Sequence, residues 1–246
     1  MTRGRIVLVG SGEFTPTMDD VDREILAGIR KPRARVAIVP TASGLEETPQ
    51  SWSEMGASHF AALGAEGVPV MVLRREDAHE RRWVDALRDV DWIFFSGGRP
   101  QHAIAVLEGT PFWEAVLRRH RAGAVLAGSS AGAMMLGEKS YAPDDMDENG
   151  LPRHISMRDG LGVLSGHFVI PHFDLLSRFP TERVGAWTAL WPPGFRGLGI
   201  DEDTALIEGP TGWTVRGRGR VLAMRSFAER QVHTAGGTLD GISVRP

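Results

Sequence analysis

Ala124–Gly137 reads A-V-L-A-G-S-S-A-G-A-M-M-L-G. An apolar run gives way to the smallest residues and then resumes as a helix-compatible run, which predicts a strand, a sharp turn and a helix. The turn holds Gly128-Ser129-Ser130-Ala131-Gly132, a G-x-S-x-G pentapeptide with Ser130 at its centre. A serine at the apex of such a corner sits in a strained backbone conformation that lifts its hydroxyl into a cleft. Glycines two residues to either side let the strand and helix backbones pass closely. Ser129 lacks that flanking, because Ala127 and Ala131 stand two residues from it. The pentapeptide also arises by chance in small-residue corners without chemistry, so neighbouring motifs have to support it.

Working outward, Ile6–Val9, Val36–Val39, Val70–Leu73 and Trp92–Phe95 are short, continuously apolar runs. Such runs suit parallel strands covered on both faces. Between them lie an amphipathic segment, Met18–Ile29, and helical patterns around Ser53–Leu63 and Glu80–Arg88. Strand and helix alternate, which predicts an α/β fold: a three-layer α/β/α sandwich around a mostly parallel, flavodoxin-like sheet. In open sheets of this kind the ligand site lies beyond the carboxyl ends of the strands. Those ends carry Gly10–Glu13, Thr41–Gly44, Gly97–Gln101 and Ser130, placing functional polar residues on one edge of one sheet.

After the corner, Ser140–Gly150 carries Asp144, Asp145, Asp147 and Glu148 and reads as an acidic loop, either solvated or a lid beside the site. Gly166–Pro171 reads as a strand with His172 at its mouth, and Asp174–Leu190 as a helix holding Arg178, Glu182 and Arg183. Trp213–Val215 and Val221–Met224 read as short antiparallel strands near the C-terminus that close the sheet edge. Arg216–Arg220, R-G-R-G-R, reads as a solvated hairpin turn between them.

The chain has 246 residues, 42% of them apolar and 24% charged, enough for a full core and consistent with one domain over residues 1–246. Its net charge of −3 comes with dispersed basic residues, which argues against nucleic acid or an anionic membrane as partner. The absence of cysteine excludes a disulfide framework, a cysteine zinc site and a thiol nucleophile. No run approaches the roughly twenty apolar residues of a membrane helix, and Met1–Arg5 leads straight into a strand, so a cytoplasmic location is expected.

A serine nucleophile needs an imidazole base within hydrogen-bond reach, and His172 stands at a predicted strand end. His167, at the start of that strand, is expected to face away. The set His167, His172 and Asp174 matches no common zinc spacing, and Gly10-Ser11-Gly12 lacks the rest of a dinucleotide fingerprint. No metal and no cofactor are expected. Acyl chemistry at Ser130 also requires donors for a developing oxyanion, and a glycine amide from Gly97-Gly98 with the Ala131 amide could supply them.

With these residues identified, the chain resembles the serine peptidase family that holds cyanophycinase and the aspartyl dipeptidases, whose members share the fold of the class I glutamine amidotransferases. The resemblance rests on G-S-G-E at Gly10–Glu13, F-F-S-G-G at Phe94–Gly98, G-S-S-A-G-A at Gly128–Ala133, P-H-F at Pro171–Phe173 and G-I-D-E-D-T-A at Gly199–Ala205. It implies Ser130 as nucleophile, His172 as base, and the Gly98 and Ala131 amides as oxyanion donors. For the third triad member, the cyanophycinase branch points to Glu202 and the dipeptidase branch to Asp145, fifteen residues after Ser130. Glu202 is the expectation, since it falls at an apparent strand end. Ile170-Pro171 stands where cyanophycinase-like sequences carry Asp-Gln, and Arg99-Pro100 is inserted before Gln101. Gln101, Arg99 and Arg183, with Arg178, are the candidates to hold substrate, because a guanidinium grips a carboxylate with two prongs. The family further implies a small peptide substrate with an aspartyl residue on the acyl side, and a homodimer.

Overall fold

The computed structural model describes residues 3–146, 152–178 and 181–245. Ile6–Val9 (β1) is buried throughout because its side chains alternate between two apolar layers. Ile6 and Leu8 join one cluster, Val7 and Val9 the other. The same period-2 alternation runs through Arg35–Val39 (β2), Trp92–Phe95 (β4) and Val125–Ser129 (β5), with Glu66–Pro69 (β3) at the edge. These five strands pair in parallel in the order β1-β5-β4-β2-β3.

Asp19–Ile29 (α1) and Pro49–Ala62 (α2) cover one face through Val21, Ile25 and Phe60. Arg81–Ala86 (α3), Pro100–Leu107 (α4), Pro111–Arg121 (α5) and Ala131–Met135 (α6) cover the other, through side chains such as Val84, Leu107, Val116 and Met135. Each fully buried Ile, Leu or Phe contributes about 1.5–3 kcal/mol, so the two layers hold the sheet from both sides. The three-layer sandwich expected from the alternation of runs is the one observed.

Beyond α6 come Lys139–Met146 (β6), Pro152–Asp159 (β7), Leu164–Ser165 (β8), His167–Ile170 (β9), Thr181–Thr188 (α7), Arg196–Ile200 (β10), Thr204–Gly209 (β11), Gly212–Gly217 (β12), Val221–Met224 (β13), Arg230–His233 (β14), Thr238–Leu239 (β15) and Ser243–Val244 (β16). Among the described residues, β11, β12 and β15 extend the parallel sheet antiparallel to eight strands, and β14-β13-β10-β9 form a second sheet. Tyr141, Phe168, Ile170, Phe173 and Trp187 form a third apolar cluster around the second sheet.

Several local expectations change. The strand expected at Val70–Leu73 lies four residues earlier, at β3, an edge strand that tolerates Gly67 and Pro69. Val70 and Val72 are apolar because they are buried in the core, and Val72 N bonds back to Val70 O rather than to a neighbouring strand. The acidic loop expected at Ser140–Gly150 is largely β6, paired with β7, since backbone pairing does not depend on side-chain charge. Asp144 and Asp145 lie on that strand, and Asp147 and Glu148 lie outside the described residues. The single helix expected over Asp174–Leu190 is a 3-10 turn, Phe173–Arg178, followed by α7. Pro180 stands between them in sequence, and a proline has no N–H with which to continue a helix.

Val221–Met224 does not close the large sheet but pairs with β10 and β14 in the second one. Arg216–Arg220 therefore crosses between sheets instead of turning a hairpin. It is pressed on the β10–β11 turn, with Arg218 N donating to Asp203 O, Gly219 N to Thr204 Oγ1, and Arg220 N and Nε to Asp201 Oδ2.

Two buried histidines make stability depend on pH. Burial holds His120 and His167 below the usual imidazole range, each with Nδ1 against a backbone carbonyl, Ala124 O at 3.0 Å and Ser165 O at 2.6 Å. Because both folded-state values are lowered, the unfolded chain binds more protons below about pH 6.5, so stability is present above that pH and is lost as pH falls. The slope cannot exceed about 1.4 kcal/mol per pH unit for each histidine. The melting temperature should fall from pH 7.5 to 5.0, and should fall less in a His120→Gln variant; an equal fall in both proteins rules His120 out as a contributor.

Candidate active site

Gly128 and Gly132 explain why the corner forms. A Cβ on Gly128 would stand 2.2 Å from Gly132 O, and one on Gly132 would stand 2.4 Å from Phe95 O. The strand, the helix and the neighbouring strand β4 therefore pack backbone to backbone. Ser130, at the apex, has φ 50° and ψ −116°, a conformation that costs an L residue on the order of 1–3 kcal/mol. Its amide donates to Val9 O at 3.0 Å, and Ala133 N and Met134 N both donate to its carbonyl, so both neighbouring peptides are held.

The hydroxyl so presented meets His172. Ser130 Oγ lies 2.9 Å from His172 Nε2, and His172 Nδ1 lies 2.7 Å from Glu202 Oε1. His172 follows β9 of the second sheet with φ 49°, and Glu202 occupies the turn from β10 to β11, where the two sheets join. Gly10–Glu13, Thr41–Gly44, Gly97–Gln101 and Ser130 follow β1, β2, β4 and β5 at one edge of one sheet as expected, and the histidine and the carboxylate reach Ser130 from outside that set. The hydroxyl comes from the first sheet and the imidazole from the second, and the carboxylate comes from the link between them. Ser130, His172 and Glu202 are all half-exposed, so the chain of contacts is open to solvent.

The turn carrying Glu202 is fastened on several sides. Glu202 N donates to Asp174 Oδ1 at 2.9 Å, Thr204 Oγ1 donates to Glu202 O at 2.9 Å, and Thr17 Oγ1 donates to Asp203 Oδ1 at 2.7 Å. With the arginine-glycine crossing pressed on it, the carboxylate is held beside the imidazole.

Gly97 passes close to Ser130: a Cβ on it would stand 3.3 Å from Ser130 Cβ. Gly98 is exposed and Ala131 is buried at the first position of α6. Arg99 is exposed just before α4, and Gln101 Nε2 donates to Tyr141 O at 3.4 Å. Arg183 lies on α7, Arg178 at the end of the 3-10 turn, and Asp145 on β6. His167 is at the opposite end of β9 from His172, its ring on Ser165 O. Among the described residues, no three histidine or acidic side chains gather as a metal set, and no helix is long and apolar enough to cross a membrane.

A cavity of about 470 Å3 lies at the other, amino end of the sheet, lined by Arg3, Arg5, Lys31 and Arg119 beside Asp91. Its cations stand near the last turns of α1 and α5, where helix dipoles favour positive charge. It is remote in the sheet from the serine.

A family model described as peptidase family S51 matches residues 6–211. The chain belongs to peptidase family S51. This S51 peptidase is a serine-type hydrolase, similar along most of its length to proteins of known kind. It is 29% identical to a cyanophycinase from Nostoc sp. over 223 residues, covering 89% of this chain and 73% of that one. A cyanophycinase from Synechococcus elongatus is 30% identical over 191 residues, 76% of this chain and 58% of the relative. The crystal structure of a peptidase from an acI-B1 Actinobacterium superposes with a TM-score of 0.83 at 32% identity, covering 97% of both chains. A putative peptidase E from Listeria monocytogenes, at 19% identity and a TM-score of 0.62, covers 88% of this chain and 99% of its own, and shares the fold.

Two features of the S51 peptidase were not assigned from its sequence. Glu13 was quoted within G-S-G-E but given no role; it is buried, with one oxygen on Gly97 N and the other on Ser129 Oγ. Asp174, whose spacing from the two histidines fits no zinc site, accepts from the Glu202 amide. A carboxylate set in a glycine turn directly after a buried strand was the available signal for Glu13. Its partners, 84 and 116 residues away, left none.

Proposed function

We propose that this S51 peptidase hydrolyses short peptides carrying an aspartyl residue on the acyl side, through an acyl-enzyme on Ser130. The observation that carries the reading is the continuous chain from Ser130 Oγ to His172 Nε2 at 2.9 Å and from His172 Nδ1 to Glu202 Oε1 at 2.7 Å. Ser130 Oγ attacks the peptide carbonyl carbon as His172 Nε2 takes its proton, and Glu202 accepts the Nδ1–H, fixing the tautomer and stabilising the imidazolium. Collapse of the tetrahedral species expels the amine, which takes the proton from Nε2. Water then repeats the sequence on the ester and frees Ser130. The oxyanion lies between the Gly98 and Ala131 amides, the Gly97 amide being committed to Glu13. Resemblance to the cyanophycinases and dipeptidases supports the aspartyl preference, with Arg99, Gln101 and Arg183 as the residues to hold the substrate.

The test sets aspartyl dipeptides against other dipeptides and simple esters, with Glu202→Gln and Asp145→Asn beside the wild type. Preferential turnover of aspartyl dipeptides is expected; turnover of esters alone replaces the peptide reading by an esterase. Removing the orienting carboxylate of a buried triad costs about 10^4-fold. Glu202 is 41% exposed at its side chain, so water screens it, and a loss on the order of 10^2- to 10^3-fold is expected for Glu202→Gln. Asp145→Asn should stay within about threefold of wild type. The reverse pattern assigns the third position to Asp145.

A further inference from the structure

We infer that Glu13 is a positioning residue that aims the Gly98 amide at the oxyanion, an inference that rests on the serine reading above. Glu13 enters from the turn after β1 and is 6% exposed. Its Oε1 accepts from Gly97 N at 2.9 Å, in the turn after β4, and its Oε2 accepts from Ser129 Oγ at 2.6 Å, at the end of β5. One carboxylate thus ties together the carboxyl ends of three strands that are neighbours in the sheet.

The second half of the clamp is Ser43, whose Oγ donates to Gly97 O at 2.8 Å. In a planar trans peptide the carbonyl oxygen and the following N–H point in opposite directions. Ser43 on Gly97 O therefore sets the direction of the Gly98 N–H within the Gly97–Gly98 peptide, and Glu13 on Gly97 N holds the Ser96–Gly97 peptide before it, so the two together fix the Gly97 backbone from which the Gly98 N–H is aimed. Arg99 N, donating to Ala42 O at 2.7 Å, fixes the next amide. Gly98 has φ 134°, and a Cβ there would stand 2.4 Å from Ala42 O, so the turn takes this plane only with glycine.

The backbone around Glu13 is bent to deliver it. Gly12 has φ 83° and Phe14 has φ 63°, a left-handed value that a bulky residue adopts only when its surroundings impose it. The Phe14 ring packs 5.0 Å from Phe94, centroid to centroid, which anchors the turn in one apolar layer while the carboxylate reaches the strand ends. Gly97 leaves little room for a side chain between the two groups it separates: its Cβ would stand 3.2 Å from Glu13 Oε1 and 3.3 Å from Ser130 Cβ. Among the described residues no cation pairs with Glu13. Burying an unpaired carboxylate is unfavourable where an apolar side chain could fill the space, so packing alone does not account for it.

The experiment compares Glu13→Ala, Glu13→Asp and Glu13→Gln with the wild type, using a fluorophosphonate probe and following its maximal rate of labelling and its half-saturating concentration separately. In the labelling step Ser130 Oγ bonds to phosphorus, fluoride leaves, and the serine proton passes to His172, with the phosphoryl oxygen in the oxyanion site. Loss of a single oxyanion donor costs about 10^2- to 10^3-fold. A misaimed donor is expected to lower the maximal rate about 10- to 100-fold in Glu13→Ala and Glu13→Asp, with half-saturation unchanged within about threefold. Asp keeps the charge but is too short for both partners. Gln can offer its oxygen to Gly97 N and its amide to Ser129 Oγ, and should remain within about fivefold of wild type.

Wild-type rates in the Ala and Asp variants, or equal loss in Gln and Ala, overturn the inference, as does a loss in Glu13→Asp that matches only its unfolded fraction. Ser130→Ala is the control that separates the two readings. If it is unlabelled while Glu13→Asp labels normally, only the role of Glu13 fails; if it labels like the wild type, the serine reading fails.

Discussion

Ser130→Ala is expected to reduce peptide turnover by on the order of 10^4- to 10^6-fold while the melting temperature stays within about 3 °C of the wild type. The two halves of the expectation have different causes. The methyl group of alanine has no nucleophile, and loss of the serine in such a unit costs as much as loss of the whole set, because in the proposed mechanism His172 and Glu202 act only through it. Stability changes little because the strain at this corner lies in the backbone. Ser130 holds φ 50° with its amide on Val9 O of β1 and its carbonyl on two amides of α6, and alanine meets the same strain. The contact given up, Ser130 Oγ to His172 Nε2, is half-exposed and worth about 1 kcal/mol. Thermal unfolding and steady-state kinetics on one preparation test both halves. Turnover within tenfold of the wild type ends the serine mechanism, and a large fall in melting temperature shows that the hydroxyl carries structural weight not seen in its contacts.

The largest expected effect on stability belongs to Gly128→Ala. Its added Cβ would stand 2.2 Å from Gly132 O and 2.7 Å from Ala133 N, both backbone atoms of α6, so no side chain can swing away to make room. Overpacking a well-filled interior costs about 1–3 kcal/mol when side chains give way. Here the helix itself has to move, which places the expected loss at about 3 kcal/mol or more and the fall in melting temperature near 10 °C. Gly185→Ala is the matched control: this glycine is in α7 with nothing within 4 Å of the new Cβ, and a glycine-to-alanine change inside a helix stabilises by about 0.5–1 kcal/mol. Equal melting temperatures for the two variants mean that the corner is looser than its backbone contacts imply. In Gly128→Ala, activity should fall further than stability, since displacing α6 carries the Ala131 amide with it.

Local chemistry accounts for what was legible beforehand. The corner at Gly128–Gly132, the parallel runs and the histidine at a strand end depend on residues close in sequence, where small size, apolar periodicity and strand ends leave a pattern. Errors arose where burial and pairing part company. Val70 and Val72 are as apolar as any strand residue and are buried, yet past Val70 N on Ile38 O the segment folds back on itself, while β3 carries Gly67 and Pro69 and still pairs with β2. The acidic run after the corner reads as a loop by charge, but backbone pairing with β7 decides its conformation. Val221–Met224 has the pattern of a strand and leaves no mark of which sheet it joins.

The α/β/α layering, the strained serine corner and the residue types of the site are legible in the chain alone, because each follows from steric size or hydrophobic period over a few residues. Packing of distant elements alone sets Glu202 against His172 Nδ1, brings His172 in from a second sheet, and lets Glu13 brace the glycine turn from two strands away. Hydrogen bonds between residues 30 and 84 positions apart depend on where whole strands are placed, and strand order is set by packing across the core rather than by any local signal.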